Sequence, residues 1–258
     1  MTGVFELSDA LCCRAVELAE EAEKKGIALK LLGGIGIALL CKKAIERNPV
    51  LKRVYQDIDF AAHSRQRELI EEYLTSYNFQ PAKEFNFLAG HRRLLFFHPL
   101  ERIKIDIFLN KFSMCHVIDL SASLKNAQLT LDEGDLLLTK LQVVELNQRD
   151  VKDLVALLLT ASIFKEPEQE LQLRTTTRTR LSSCFGRDWG LWKTSKLTLN
   201  RILKEPLMKQ LNEEDASSAS EALRQIDQLL EKAPKTIRWK MRALLGTRVR
   251  WYELPEEP

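Results

Sequence analysis

Asp57 and Asp59 stand two residues apart in V-Y-Q-D-I-D-F-A-A, residues 54–62, a stretch that otherwise reads as a buried strand. On a strand, that spacing turns both side chains to one face. Two carboxylates held so close repel unless a cation lies between them or one keeps its proton. Mg²⁺ and similar hard ions take such oxygens, commonly through one or two carboxylates together with phosphates. A third acid, Asp106, lies in R-I-K-I-D-I-F-L. Alternation there sets Ile103, Ile105 and Ile107 on one face and Asp106 on the other. Upstream, Gly33-Gly34 fall at a strand-to-helix junction. Glycine lets the backbone approach a ligand closely at such a point, and the following helix N-terminus directs N–H groups toward an anion. Each signal is weak alone, since D-x-D arises on surface strands and a glycine pair serves a tight turn. Neither G-x-G-x-x-G nor a Walker A motif is present.

The elements that must position these residues follow from periodicity and punctuation. Ser8 can N-cap a helix through A-L-C-C-R-A-V-E-L-A-E-E-A-E-K-K, stopped by Gly26. I-A-L-K-L-L predicts a buried strand ending at Gly33-Gly34, and I-G-I-A-L-L-C-K-K-A-I-E-R a helix broken by Asn48-Pro49. S-R-Q-R-E-L-I-E-E-Y-L-T-S-Y reads as an amphipathic helix, and F-N-F-L-A, R-L-L-F-F-H and R-I-K-I-D-I-F-L as three short strands. From Leu131 the pattern turns helical, over D-E-G-D-L-L-L-T-K-L-Q-V-V-E-L, R-D-V-K-D-L-V-A-L-L-L, and later residues 189–211, 217–232 and 235–246.

In this order, strand, Gly-Gly, helix, strand with D-x-D, strand with a third Asp, the sequence resembles the DNA-polymerase-β-like nucleotidyltransferase superfamily. L-L-L-T-K-L-Q-V-V-E-L-N-Q-R-D-V-K-D-L-V-A-L looks like the K…R-x-x-K-D-L element of AbiEii-type nucleotidyltransferases, which include toxins of type IV toxin–antitoxin pairs. Arg53 matches an arginine common in that family's R-x-[ST]-x-D-I-D, although Tyr55 stands where Ser or Thr often sits. The resemblance spans residues 28–160. It implies an α+β fold: a nucleotidyltransferase mixed sheet with flanking helices over residues 1–128, then an all-α module over 129–258 that completes the cleft. It implies transfer of a nucleoside monophosphate from an NTP to an acceptor hydroxyl on RNA or tRNA, protein or a small molecule. Gly33, Gly34, Arg53 and Lys140 would bind the nucleotide; Asp57, Asp59 and Asp106 would hold Mg²⁺ or Mn²⁺, with Asp106 helping to deprotonate the acceptor. Lys140 would contact the triphosphate, and Asp153 would match the K-D aspartate associated with activity. Without the resemblance, Lys140 and Asp153 read as an interhelical ion pair or solvated residues. A catalytically silent nucleotide-binding regulator of the same fold is the alternative; a D-x-D glycosyltransferase lacks the expected larger nucleotide-sugar domain before its D-x-D.

Composition sets the bounds. The 258 residues are 45% hydrophobic and 29% charged, ordinary for a soluble globular chain that buries its own core. The net charge of +3 is unevenly spread, −3 over residues 1–170 and +6 over 171–258. L-R-T-T-T-R-T-R-L-S-S-C-F-G-R carries four arginines and no acid, and P-K-T-I-R-W-K-M-R-A-L-L-G-T-R-V-R-W six cations, no acid and two tryptophans. Cations neutralise phosphates and aromatics stack bases, which points to an RNA acceptor; a solvated helix anchored by Trp239 and Trp251 is the plainer alternative. His63, His91, His98 and His116 have no metal-cluster spacing and read as ordinary surface or strand residues. Five scattered cysteines suit reduced thiols, and neither a secretory leader nor a membrane-length apolar run is evident. The expectation is a cytoplasmic protein without membrane contact, with an antitoxin as a further possible partner.

Overall fold

A computed structural model describes the backbone of residues 2–163 and 172–254, and the side chains of 10–161 and 174–254. Five strands form a mixed sheet: β1 (Lys30–Leu32), β2 (Asp57–Ala62), β3 (Gln80–Pro81), β4 (Arg93–Phe97) and β5 (Lys104–Leu109), in the order β1-β2-β5-β4-β3. Only β2 and β5 run parallel. On one face Ile58, Phe60, Ile105, Ile107, Leu94 and Phe96 are wholly buried. They pack against Leu18 of α1 (Thr2–Lys24) and Leu74 of α4 (Arg67–Ser76). The alternation of β5 thus places its isoleucines in the core as the pattern requires.

The other face meets the helices of the second half. α6 (Glu133–Leu141), α7 (Gln148–Ala161), α8 (Thr175–Arg187), α9 (Trp189–Ile202) and α10 (Glu213–Lys232) share one buried cluster with Leu32, Ala61 and Phe108 of the sheet and with Ile37 of α2 (Gly33–Leu40). The cluster therefore joins residues on both sides of residue 128. The chain before α6 also pairs with the sheet: Leu31 N–H donates to Leu129 O at 2.7 Å, and Leu131 N–H to Leu31 O at 3.0 Å, covering the β1 edge. α3 (Lys42–Arg47) follows α2 after a break at Cys41, and Asn48-Pro49 ends it. α11 (Ile237–Leu245) lies on the outside with no buried residue.

Several local expectations differ. The first helix begins at Thr2, so Ser8 lies within it and does not start it; the Ser8 side chain is outside the described ones, as is Phe164 at the end of the apolar stretch L-V-A-L-L-L-T-A-S-I-F, residues 154–164, too short in the sequence for a membrane span. Residues 85–89, expected as a strand, belong to α5 (Lys83–Ala89). The reason is Asn86, whose amide accepts from Leu95 N–H at 2.7 Å and donates to Leu95 O at 3.1 Å. A side chain thus occupies the backbone groups that a further strand beside β4 would have used. The helix expected over 132–146 ends at Leu141, and Pro206 divides the expected 189–211 helix into α9 and a short 3₁₀ turn. A hairpin of β6 (Lys111–Ser113) and β7 (Val117–Asp119) had no clear sequence signal. His98 and His116 are buried rather than surface residues. Among the described residues no two cysteines form a disulfide. Among the described residues no helix is long and apolar enough to cross a membrane.

Candidate active site

Strand register assembles the acids. Asp59 of β2 pairs with Asp106 of β5, and on its other side with Leu32, the last residue of β1. Paired residues share a face, so Asp57, Asp59 and Asp106 come to one side of the sheet where α2 begins. There the chain turns from strand to helix at Gly33, with φ +60°. A Cβ on Gly33 would lie 1.8 Å from Asp59 Oδ2, so the carboxylate rests directly on the glycine backbone. A Cβ on Gly34 would lie 1.9 Å from the Arg53 guanidinium. No side chain caps the N-terminus of α2, and uncapped N–H groups beside a positive dipole end suit an anion. Gly33→Ala is therefore expected to cost roughly 5 °C in melting temperature, from left-handed strain and the collision, and to abolish any activity of the site. Thermal denaturation checks this, and Gly33→Ala placed on Asp59→Ala should recover part of the loss by removing the struck carboxylate.

The cations are held from α7. Asp153, 4% exposed, accepts from Arg53 Nε at 2.7 Å and Arg53 Nη2 at 2.8 Å, a bidentate pair. Its Oδ2 also lies 2.9 Å from Lys140 Nζ, which donates to Asp150 Oδ1 at 2.8 Å. Burial alone would lower the Lys140 pKa, but Asp153 and Asp150 outweigh it and the net shift is upward. The same balance, with Asp153 as the partner, raises that of Arg53. Both cations are thus locked on. Arg53 also lies over the Tyr55 ring, 4.7 Å from its centroid. The Lys140–Asp153 ion pair is real, and it sits at the cavity wall.

These residues line a cavity of about 590 Å³ that includes Gly33, Gly34, Arg53, Asp57, Asp59, Asp106 and Lys140. Asp153 is not among the lining residues; it stands behind, holding Arg53 and Lys140. Asp59 is half-buried, and its pKa is pushed up to about 7 by burial, then by Asp57 and Asp106, against the pull of Lys140 and Arg93. Asp106 differs from expectation, because Arg93 grips both its oxygens, Nε to Oδ1 at 2.7 Å and Nη2 to Oδ2. Arg93 in turn lies over the Phe108 ring, 5.0 Å from its centroid. The sequence offered Arg93 only within His91-Arg92-Arg93, a turn read as solvated though able to meet an acceptor or a phosphate, and not as the partner of Asp106. Its signal lay in the antiparallel register of β4 with β5, which pairs Arg93 with Phe108 and so sets it diagonal to Asp106. Lys104, Asp150 and Arg149 also line the cavity and were missed.

Among the described residues, no three His, Cys, Asp or Glu side chains converge to hold a metal by themselves. Asp57 and Asp59 are left as two like charges on one strand face, with Asp59 ionising reluctantly because it is buried beside Asp57 and Asp106. That donor pair fits Mg²⁺ or Mn²⁺, which commonly bind one or two carboxylates alongside phosphate oxygens.

A second cavity, about 400 Å³, lies between α9 and α11, lined by Trp189, Trp239, Trp251, Arg187, Arg238 and Arg242. Trp239 meets Trp192 edge-on at 5.4 Å, and Trp251 donates to Thr194 at 3.1 Å, so both tryptophans anchor the C-terminal segment as well as line the cavity. That segment continues to Leu254 at the wall of the larger cavity, three residues from Trp251, at most about 10 Å of chain. No family model and no curated protein matches the chain.

Proposed function

We propose that the chain is a metal-dependent nucleotidyltransferase, moving a nucleoside monophosphate from an NTP to an acceptor hydroxyl. One observation carries the reading: Asp59 of the D-x-D pair rests against Gly33 at the uncapped start of α2, in the same cavity as Asp57, Lys140 and Arg53. The N–H groups of Gly33 and Gly34 receive the triphosphate, and Lys140 adds a point charge fixed by Asp150 and Asp153. Asp57 and Asp59 hold Mg²⁺ or Mn²⁺, which supplies charge neutralisation at the reacting phosphate. Catalysis of this kind is mostly positioning and electrostatics. Arg53 steadies the loop before Asp57 through Asp153 and Tyr55. Asp106, neutralised by Arg93, keeps its place beside Asp59 and is the acceptor-side carboxylate once that grip loosens.

The acceptor we favour is RNA, such as tRNA. Arg178, Arg187, Arg238 and Lys240 are exposed on α8 and α11, and the segment from Trp251 to Leu254 joins the tryptophan-lined cavity to the wall of the active cleft. A toxin role with an antitoxin partner, and a cytoplasmic setting, rest on the AbiEii-type resemblance and the cysteine pattern alone. A second reading, nucleotide binding without turnover, draws on the hold of Arg93 over both Asp106 oxygens. Incubation with each labelled NTP, Mg²⁺ and total tRNA separates the two. Label transferred to RNA, and lost in Asp57→Ala, is the expected result; nucleotide binding with no label on any acceptor overturns turnover in favour of the second reading.

A further inference from the structure

The apolar stripe of α11 points away from the protein that carries it. Ile237, Met241, Leu244 and Leu245 recur at i, i+4, i+7 and i+8, which on a helix is one face. Their relative exposures are 79%, 66%, 84% and 49%. The opposite face meets the body. Trp239 packs edge-on against Trp192 of α9 at 5.4 Å, and the Arg242 guanidinium lies over the Trp189 ring, 4.7 Å from its centroid. Both ends of the helix are held in this orientation. Thr236 N–H donates to Gly186 O at 2.9 Å, and the Thr236 side chain caps α11. Arg242 donates to Gly246 O at 2.9 Å and to Val249 O at 2.8 Å. The stripe is therefore exposed by a fixed packing of the helix. Single exposed aliphatic residues are ordinary, but four in one stripe mark an interaction surface.

The borders of the stripe say what fits it. Arg238 follows Ile237 and Lys240 precedes Met241, so the helical turn sets these exposed cations along opposite sides of the stripe. Arg248 and Arg250, also exposed, come next, and residues 234–251 carry no acid. We propose that this face docks a partner protein that presents apolar side chains between acidic ones, as an acidic amphipathic helix does. A second copy of the chain, paired through the same stripe, would set cations against cations. RNA offers phosphates to the cations, but its bases stack on aromatic rings and leave four aliphatic side chains uncovered. Helices that lie on lipid turn tryptophan toward the headgroups, whereas the tryptophan of α11 faces the body. The inference stands apart from the nucleotidyltransferase reading, since no residue of the active cleft enters it.

The test is isothermal titration of the full chain with a synthetic three-heptad helical peptide. It carries leucine at positions a and d and glutamate at e and g, which keeps it from pairing with itself. Saturable binding is expected, about tenfold weaker in each of Met241→Ser and Leu244→Ser, and at least about tenfold weaker for the same peptide with lysine in place of glutamate. Both replaced side chains are exposed, so the variants should melt close to the wild type. Failure of the acidic peptide to bind the unaltered chain overturns the proposal, as does binding that the two serine variants leave unchanged. Equal affinity for the lysine peptide overturns it too, because the cations would then select nothing. Titration with phosphatidylcholine–phosphatidylserine vesicles and sedimentation over a range of protein concentrations read the other occupants. Vesicle binding or self-association that Leu244→Ser abolishes would assign the face to a lipid surface or to a second copy, and would overturn the proposal.

Discussion

Asp59→Asn is expected to make the cation-free protein more stable while abolishing nucleotide transfer. Asp59 is crowded by burial, Asp57 and Asp106, which together push its pKa from 3.8 to about 7. The native state therefore holds that proton across a range where the unfolded chain has released it. Wild-type stability from this group falls as pH rises from about 4 toward 7, then levels off above 7, where the carboxylate is charged in both states. Asparagine has no proton to lose and keeps the shape. With EDTA present, the melting temperatures of variant and wild type should nearly coincide at pH 4–5. At pH 8 the variant should melt roughly 4–8 °C higher, corresponding to about 2 kcal/mol in a chain of this size. Mg²⁺ should then raise the wild-type melting temperature and leave the variant nearly unmoved. Coincident melting at pH 8 would show that the acids do not repel and that the metal reading of the pair is wrong. A site that stores repulsion until a cation arrives gives up stability for function, and such sites gain stability when disarmed.

The second large effect belongs to Asp153, which the sequence placed among the catalytic residues and the fold places behind the cavity wall. Arg53 and Lys140 are 11% and 13% exposed in their side chains, and both lean on this one carboxylate. Removing one partner of a buried pair leaves an uncompensated charge and costs about 3–5 kcal/mol, or roughly 10 °C in melting temperature here. Asp153→Ala should show that loss together with loss of transfer. Lys140→Met should lose transfer with little loss of stability, because Asp153 keeps its bidentate bond to Arg53. Thermal melting beside the labelled-NTP assay reads both. If Asp153→Ala melted like the wild type yet failed to transfer, Asp153 would have to act on substrate directly, contrary to its position.

The order strand, Gly-Gly, helix, D-x-D and third Asp was legible in the sequence, as were the isoleucine face of β5 and the helical second half. Each is a local property, since side-chain direction repeats every two residues on a strand and hydrophobic faces recur along a helix. Ile58 and Phe60 face the core and leave Asp57 and Asp59 to the cavity, as that periodicity demands. Local pattern failed at residues 85–89, where alternating Phe85, Phe87 and Ala89 imitate a strand. Only the packed sheet shows that Asn86 has taken the Leu95 backbone groups.

What the sequence alone determined is therefore which residues carry charge, where the backbone must be glycine, and which face of each strand is wet. The tertiary structure decided who holds whom. Arg93 closes on Asp106 through a strand register. Asp153 reaches back one hundred residues to Arg53, and Gln142, wholly buried at the end of α6, accepts from the His116 backbone N–H. These contacts join segments whose separation is fixed by how the sheet and the helices pack, and no periodicity within either segment encodes that distance.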